Sequence, residues 1–215
     1  MKRLTLFFGH YGSGKTNIAV NYALYLKKLG LNVSIADIDI VNPYFRTKDS
    51  EEELKNAGID VISLPFANSN VDLPALPPEV YALVQDVSKY AVMDIGGDDR
   101  GAFALGRYTP FILKENNFDA LFVTNFYRPL TQTPEDAFEV MKEIESACGI
   151  SMTGIVNNSN IGAETKEEDI ERTHALALEL SKISNLPVVF TCASEKIAKN
   201  SQNNYFSLTL QKKIF

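Results

Sequence analysis

Residues 4 to 30 read LTLFFGHYGSGKTNIAVNYALYLKKLG, and this stretch decides the fold. Its centre, Gly9-His10-Tyr11-Gly12-Ser13-Gly14-Lys15-Thr16, fits the pattern GxxxxGK followed by Ser or Thr. The apolar run Leu4 to Phe8 before it is too short for a helix and rich in strand-forming residues, as a buried strand is. Behind it, Asn17 to Leu29 repeats apolar residues three and four apart, and Gly30 stands where a helix stops. Strand, glycine loop and helix in that order form an anion cradle. Gly9, Gly12 and Gly14 let successive backbone N–H groups turn inward, and a helix beginning at Lys15 adds the positive end of its dipole. Lys15 is then placed to reach β and γ phosphates, and the Thr16 hydroxyl to ligate Mg²⁺. The run Gly9, His10, Tyr11, Gly12, Ser13, Gly14, Lys15 and Thr16, with Asn17 behind it, is the candidate nucleotide site.

The same alternation continues along the chain. Short apolar runs at 33–36, 61–64, 91–95, 120–124, 153–157 and 188–191 are strand candidates, separated by segments of helical period. Two helix starts are explicit. Thr133-Pro134-Glu135-Asp136 places a capping residue before a proline and an acidic turn, and Thr165-Lys166-Glu167-Glu168 has the form of a capping box. The pattern predicts an α/β fold: a doubly wound, mostly parallel sheet of about seven strands with helices on both faces. Right-handed crossovers gather the loops at the carboxyl edge of such a sheet, where ligands bind. The proline-rich stretch 73–78 reads as a loop ending at a helix start near Glu79.

At 215 residues and 45% hydrophobic, the chain is expected to form one nucleotide-binding domain over 1–215. A formal charge of −6 argues against nucleic-acid or membrane binding through overall charge. Met1-Lys2-Arg3-Leu4 passes into the first strand without the apolar core of a signal peptide, so a cytoplasmic location is expected. The tail 201–215 alternates weakly at Phe206, Leu208, Leu210 and Ile214, as a strand does. Cys148 and Cys192 lie far apart and read as buried free thiols. His10 and His174 have no metal-ligand spacing.

Hydrolysis needs carboxylates on strands beside the loop. Asp37 and Asp39 follow the second strand, and Asp94-Ile95-Gly96-Gly97 follows the fourth. Asp94 has the form of an acid that holds Mg²⁺ through water. Gly97, lacking a Cβ, is free to offer its N–H to a γ phosphate. Alternation points Asp37 and Asp39 to one side. Asp37 is the preferred water-positioning carboxylate, and Asp39 is a candidate to position Mg²⁺.

These residues resemble the deviant Walker A ATPases of the MinD, ParA and nitrogenase iron protein group, which includes nickel-insertion ATPases for carbon monoxide dehydrogenase. The similarity rests on the glycine loop, Asp37-Ile38-Asp39, Asp94 to Gly97 and Gly154-Ile155-Val156-Asn157-Asn158. It implies Mg-ATP as the bound nucleotide, adenine contact by Asn158 with Asn157 beside it, a second base-pocket wall at Thr191 to Ser194, and a nucleotide-dependent homodimer acting on a protein client. The absence of an Asn-Lys-x-Asp guanine reader agrees with ATP. In that group a signature lysine reaches across the dimer from the position held here by His10. A mostly neutral imidazole implies weak intrinsic hydrolysis unless Arg46, Arg100 or Arg107 substitutes, Arg100 being preferred. The cysteines do not sit where that group bridges metals. Rival readings are a kinase or ligase of the dethiobiotin synthetase type, with a substrate pocket from the loop 65–78, and an ATP sensor that does not hydrolyse. Pro43 to Arg46, Arg107-Tyr108 and Phe126-Tyr127-Arg128-Pro129 combine aromatics with arginine, which suits either a partner contact or rings packed under their own loops.

Overall fold

In a computed structural model, residues 1–38, 51–63, 78–97 and 105–209 are described. Strands and helices alternate: β1 Leu4–Phe8, α1 Lys15–Lys28, β2 Val33–Ile38, α2 Glu51–Asn56, β3 Asp60–Ser63, α3 Pro78–Gln85 and β4 Tyr90–Ile95. Then come α4 Thr109–Glu115, β5 Phe118–Thr124, α5 Pro134–Cys148, β6 Gly154–Asn157, α6 Glu167–Ser184, β7 Val188–Ser194, α7 Glu195–Asn200 and β8 Phe206–Leu208. Among the described residues the sheet has eight strands in the order β3-β2-β4-β1-β5-β6-β7-β8, and every pairing is parallel. Eight parallel strands bear out the expectation of about seven, mostly parallel ones. β8, three residues long at the sheet edge, falls where the tail alternates weakly at Phe206 and Leu208.

β1 is central and buried throughout, which is why its five residues read as a continuous apolar run rather than an alternating one. Alternation still decides what each residue meets. Phe7, with Val33, Ile35 and Val92, packs under α1 against Ile18, Ala19, Ala23 and Leu26. Leu4, Leu6 and Phe8 pack on the other face, in a cluster with α3, α4, α5 and α6. From β1 the chain winds first toward β2, and after β5 it winds the other way. The switch lies beside β1, and its carboxyl end is where the glycine loop leaves the sheet.

Helix boundaries follow local chemistry. Thr133 accepts the Asp136 N–H at 3.1 Å with Pro134 at the first position, and Gly149 ends α5 at φ +69°. α6 differs from expectation by one residue. Thr165 instead closes the preceding turn by donating to Gly162 O at 2.8 Å, and Asp169 caps the helix by accepting Lys166 N at 3.0 Å. A lysine side chain accepts no hydrogen bond, so only the acidic half of a capping box exists there. At the N-terminus, the buried Arg3 guanidinium donates to Val84 O (2.8 Å), Asp86 O and Lys89 O (3.1 Å each) and Leu83 O (3.3 Å), and pairs with Glu115. This one side chain ties the start of β1 to the end of α3 and to α4.

No helix among the described residues is long and apolar enough to cross a membrane. The tail residues Leu210 to Phe215 lie outside the described residues.

Candidate functional site

The loop between β1 and α1 is shaped by three glycines at positive φ: Gly9 (+147°), Gly12 (+81°) and Gly14 (+90°). At Gly9 a Cβ would lie 2.3 Å from Val123 O on β5, so only glycine lets the chain leave β1 there. A turn closes as Ser13 N donates to His10 O at 3.1 Å, and Lys15 Nζ approaches the same oxygen at 3.4 Å. Lys15 is buried, and its ammonium spans the mouth of the loop toward the end of β4. A Cβ on Gly97 would sit 2.8 Å from Lys15 Nζ and 2.7 Å from both Gly9 O and Tyr11 N. The space between β4 and the loop therefore accepts a backbone N–H and no side chain.

Parallel register sets the carboxylates. Asp37 and Asp94 are direct partners across β2 and β4, and alternation puts both on the α1 face, above Ile35 and Val92. Both are buried, and the Thr16 hydroxyl donates to Asp94 Oδ2 at 2.5 Å. Two carboxylates and a hydroxyl are the oxygen donors a hard divalent cation takes. Asp39 lies outside the described residues. No cluster of three or more His, Cys, Asp or Glu suited to a metal occurs among the described residues.

Two side chains hold carbonyls of the loop. Asn158 Nδ2 donates to Ser13 O at 2.7 Å, and Arg128 Nε donates to Gly12 O at 2.9 Å. In a trans peptide the carbonyl and the next N–H point oppositely, so drawing Ser13 O outward turns the Gly14 N–H inward. Asn158 thus acts on the glycine loop through its amide nitrogen, a contact its position after β6 does not reveal. Asn157 is not brought to the loop. It faces α6, where Oδ1 accepts Ser159 N (3.1 Å) and Ser159 Oγ (2.6 Å) and Nδ2 approaches Thr173 Oγ1 at 3.4 Å. His10 Nδ1 donates to Tyr11 O at 3.1 Å, while the Tyr11 side chain stands 59% exposed at the rim. Asn17 lies in the first turn of α1, its carbonyl accepting Asn21 Nδ2 at 2.8 Å. The Ser13 hydroxyl is buried with no hydrogen-bond partner among the described residues.

The rings of the aromatic loops pack inward where they are described. Phe126 and Tyr108 are buried, and the Tyr127 hydroxyl donates to Asp169 Oδ1 at 3.1 Å. The Lys166 N–H first, with the Tyr127 hydroxyl and Arg172 adding to it, holds the Asp169 carboxyl below the usual carboxylate range. Arg107 is exposed just before α4, and Arg46 and Arg100 lie outside the described residues. Among the described residues the arginine that meets the loop is Arg128, which the sequence pattern marks only as part of an aromatic stretch. Its link to Gly12 spans 116 positions, and no local pattern signals it. Cys148 and Cys192 are free and buried, and burial pushes both thiols up.

No protein-family model and no curated protein matches the sequence. Solved structures do. FtsY from Mycoplasma mycoides is similar at a TM-score of 0.64 and 19% identity, over 92% of this chain and 61% of that one. The cell division protein FtsY from Thermotoga maritima is similar at 0.66 and 16% identity, over 92% of this chain and 63% of that one. The signal recognition particle 54 kDa protein from Aeropyrum pernix, solved in complex with GDP, is similar at 0.58 and 14% identity, over 88% of this chain and 41% of that one. The chain thus spans less than two thirds of the length of these proteins. At under 20% identity, the likeness to these proteins is one of fold.

Proposed function

We propose that this chain binds a magnesium nucleoside triphosphate at Gly9 to Thr16, with ATP as the nucleotide, and hydrolyses it slowly as a dimeric switch on a protein partner. The observation that carries the reading is the convergence on one loop of the Lys15 ammonium, the Thr16–Asp94 pair and the side-chain-free approach of Gly97. The donor set fits the cation. Thr16 and Asp94 would hold Mg²⁺, which supplies charge that neutralises the phosphate oxygens. Lys15 binds the β and γ phosphates, and Gly97 offers its N–H to the γ phosphate. Asp37, in register beside Asp94, orients the attacking water. The water oxygen bonds to the γ phosphorus as the bond to the bridging oxygen breaks, leaving ADP and phosphate.

ATP and the dimer rest on the resemblance to the MinD and ParA group. His10, in the position of that group's signature lysine, implies a low intrinsic rate, and Asn158 Oδ1 is the acceptor that would face an adenine amino group. The GDP bound to the Aeropyrum pernix protein, and to FtsY from Elizabethkingia anophelis, favours a second reading in which the base is guanine. Calorimetric titration with MgATP and MgGTP separates the two. Saturable heat with one nucleotide, lost in Lys15→Ala, is expected. Equal affinity in Lys15→Ala, or no heat with either nucleotide, refutes the reading. Turnover that rises with protein concentration supports the dimer. Dependence on a small acceptor would instead indicate a kinase or ligase, and tight binding without turnover a sensor.

A further inference from the structure

Arg128 is carried to the phosphate loop by an arm fixed at each residue. Asn125 is buried, its Oδ1 accepts Tyr127 N at 3.1 Å, and its carbonyl accepts Arg128 N at 2.9 Å and Thr131 Oγ1 at 2.8 Å. Phe126 N donates to Ser159 Oγ at 2.9 Å. Tyr127 is held on α6 by Asp169, and Arg172 Nη2 donates to its hydroxyl at 2.7 Å. Pro129 then confines Arg128 to extended backbone, observed at φ −98° and ψ 140°. The arm meets the loop at Gly12, where a Cβ would lie in ordinary contact with Arg128, 3.4 Å from Nε, 3.6 Å from Cζ and 3.7 Å from Cδ.

A guanidinium has five N–H donors. Only Nε is used here, and among the described residues Nη1 and Nη2 have neither a hydrogen bond nor a carboxylate partner. An anchored cation with unused donors thus stands at the rim of an anion cradle, on an exposed side chain. His10, in the same loop, donates to its neighbour's carbonyl instead.

We propose that Arg128 is a phosphate-binding residue of this site: Nε holds the Gly12 carbonyl, and the Nη groups bind the polyphosphate of a nucleotide on the same chain. The inference rests on the nucleotide-binding reading and adds to it the source of positive charge. A planar, permanently charged fork suits phosphate oxygens, and a single ammonium replaces it only in part.

The test is titration of wild type, Arg128→Ala, Arg128→Gln and Arg128→Lys with MgATP and MgGTP at two salt concentrations, with turnover measured across protein concentrations. Glutamine keeps a donor for Gly12 O without the charge. Alanine and glutamine are expected to weaken binding of the preferred nucleotide by roughly ten- to hundredfold, with a shallower salt dependence, and lysine to recover part of the loss. The side chain is exposed, so unchanged thermal melts of the free proteins are expected. Wild-type affinity in the alanine variant overturns the proposal. Full recovery by glutamine also overturns it, leaving Arg128 as a brace for the loop. So does unchanged affinity with loss only of concentration-dependent turnover, because the guanidinium would then serve a second copy of the chain. A wild type that binds neither nucleotide removes the functional reading and this inference together, whereas wild-type-like variants of a nucleotide-binding chain remove this inference alone.

Discussion

Replacing Gly97 by alanine adds one methyl group at the narrowest point of the site. Gly97 is not at positive φ, so alanine suits its backbone and the effect is steric. The added carbon would lie 2.7 Å from Gly9 O and Tyr11 N and 2.8 Å from Lys15 Nζ. Lys15 can swing its ammonium aside, but the other two atoms are main chain of the loop itself. Relief therefore requires a shift of the loop or of the β4 end by several tenths of an ångström. Overpacking of this kind costs about 1–3 kcal/mol. If the displaced loop must return to bind phosphate, the same cost appears as a roughly five- to hundredfold loss of nucleotide affinity. Calorimetry reads the affinity, and urea unfolding of the free protein reads the stability. Gly30→Ala is the control: φ is +82° with nothing within 4 Å of the added carbon, so it strains backbone without crowding anything. It should lower stability by about 1 kcal/mol and leave affinity alone. If Gly97→Ala bound nucleotide as tightly as wild type and unfolded at the same urea concentration, the close approach of the β4 end to the loop would be refuted.

Asn158→Ala leaves the Ser13 carbonyl without its 2.7 Å partner and frees the peptide that aims the Gly14 N–H. Affinity should fall by roughly five- to a hundredfold, and retention of wild-type affinity would show that the amide does not brace the loop. Arg3→Ala removes a buried guanidinium shared by four carbonyls and Glu115, and should destabilise by about 3–5 kcal/mol in urea unfolding. A loss below about 1 kcal/mol would contradict the burial of that pair. Cys148 and Cys192 are 2% and 3% exposed with thiols pushed up by burial, so the native protein should not react with Ellman's reagent at pH 8, and both should react in denaturant. Fast reaction of either in the native state would place it at the surface.

The sheet was legible because its strands obey local rules. β1 matches its apolar run end to end, and the other interior strands begin or end within a few residues of theirs, since burial on both faces demands continuous apolar residues. The glycine loop was legible because backbone conformation is a local property, and positive φ at Gly9, Gly12 and Gly14 leaves its mark as glycine. β8 was legible only as a weak alternation, because three residues at an edge take their order from a partner strand and from the packing of Phe206 on Phe190, Tyr22 and Tyr25. The braces on the loop were invisible for a related reason. Asn158 and Arg128 act across 145 and 116 positions, and nothing in either residue's neighbourhood states which carbonyl it will meet. What the sequence did contain was Pro129, whose ring fixes the backbone of Arg128 and makes an exposed arginine worth placing.

Those long-range contacts bear on how the loop works. A loop of three glycines has much conformational freedom to lose, and holding its N–H groups inward against one another is unfavourable without an anion. Here three strand ends hold the loop in shape. β4 closes over the mouth with Gly97, the loop after β5 takes the Gly12 carbonyl through Arg128, and the turn after β6 takes the Ser13 carbonyl through Asn158. Each outward carbonyl fixes the N–H that follows it in the chain, so part of the ordering is complete before a ligand arrives. Preorganisation of this kind strengthens binding by reducing what must be ordered on association. The glycines make the cradle possible, but the neighbouring strands decide which way its hydrogens point.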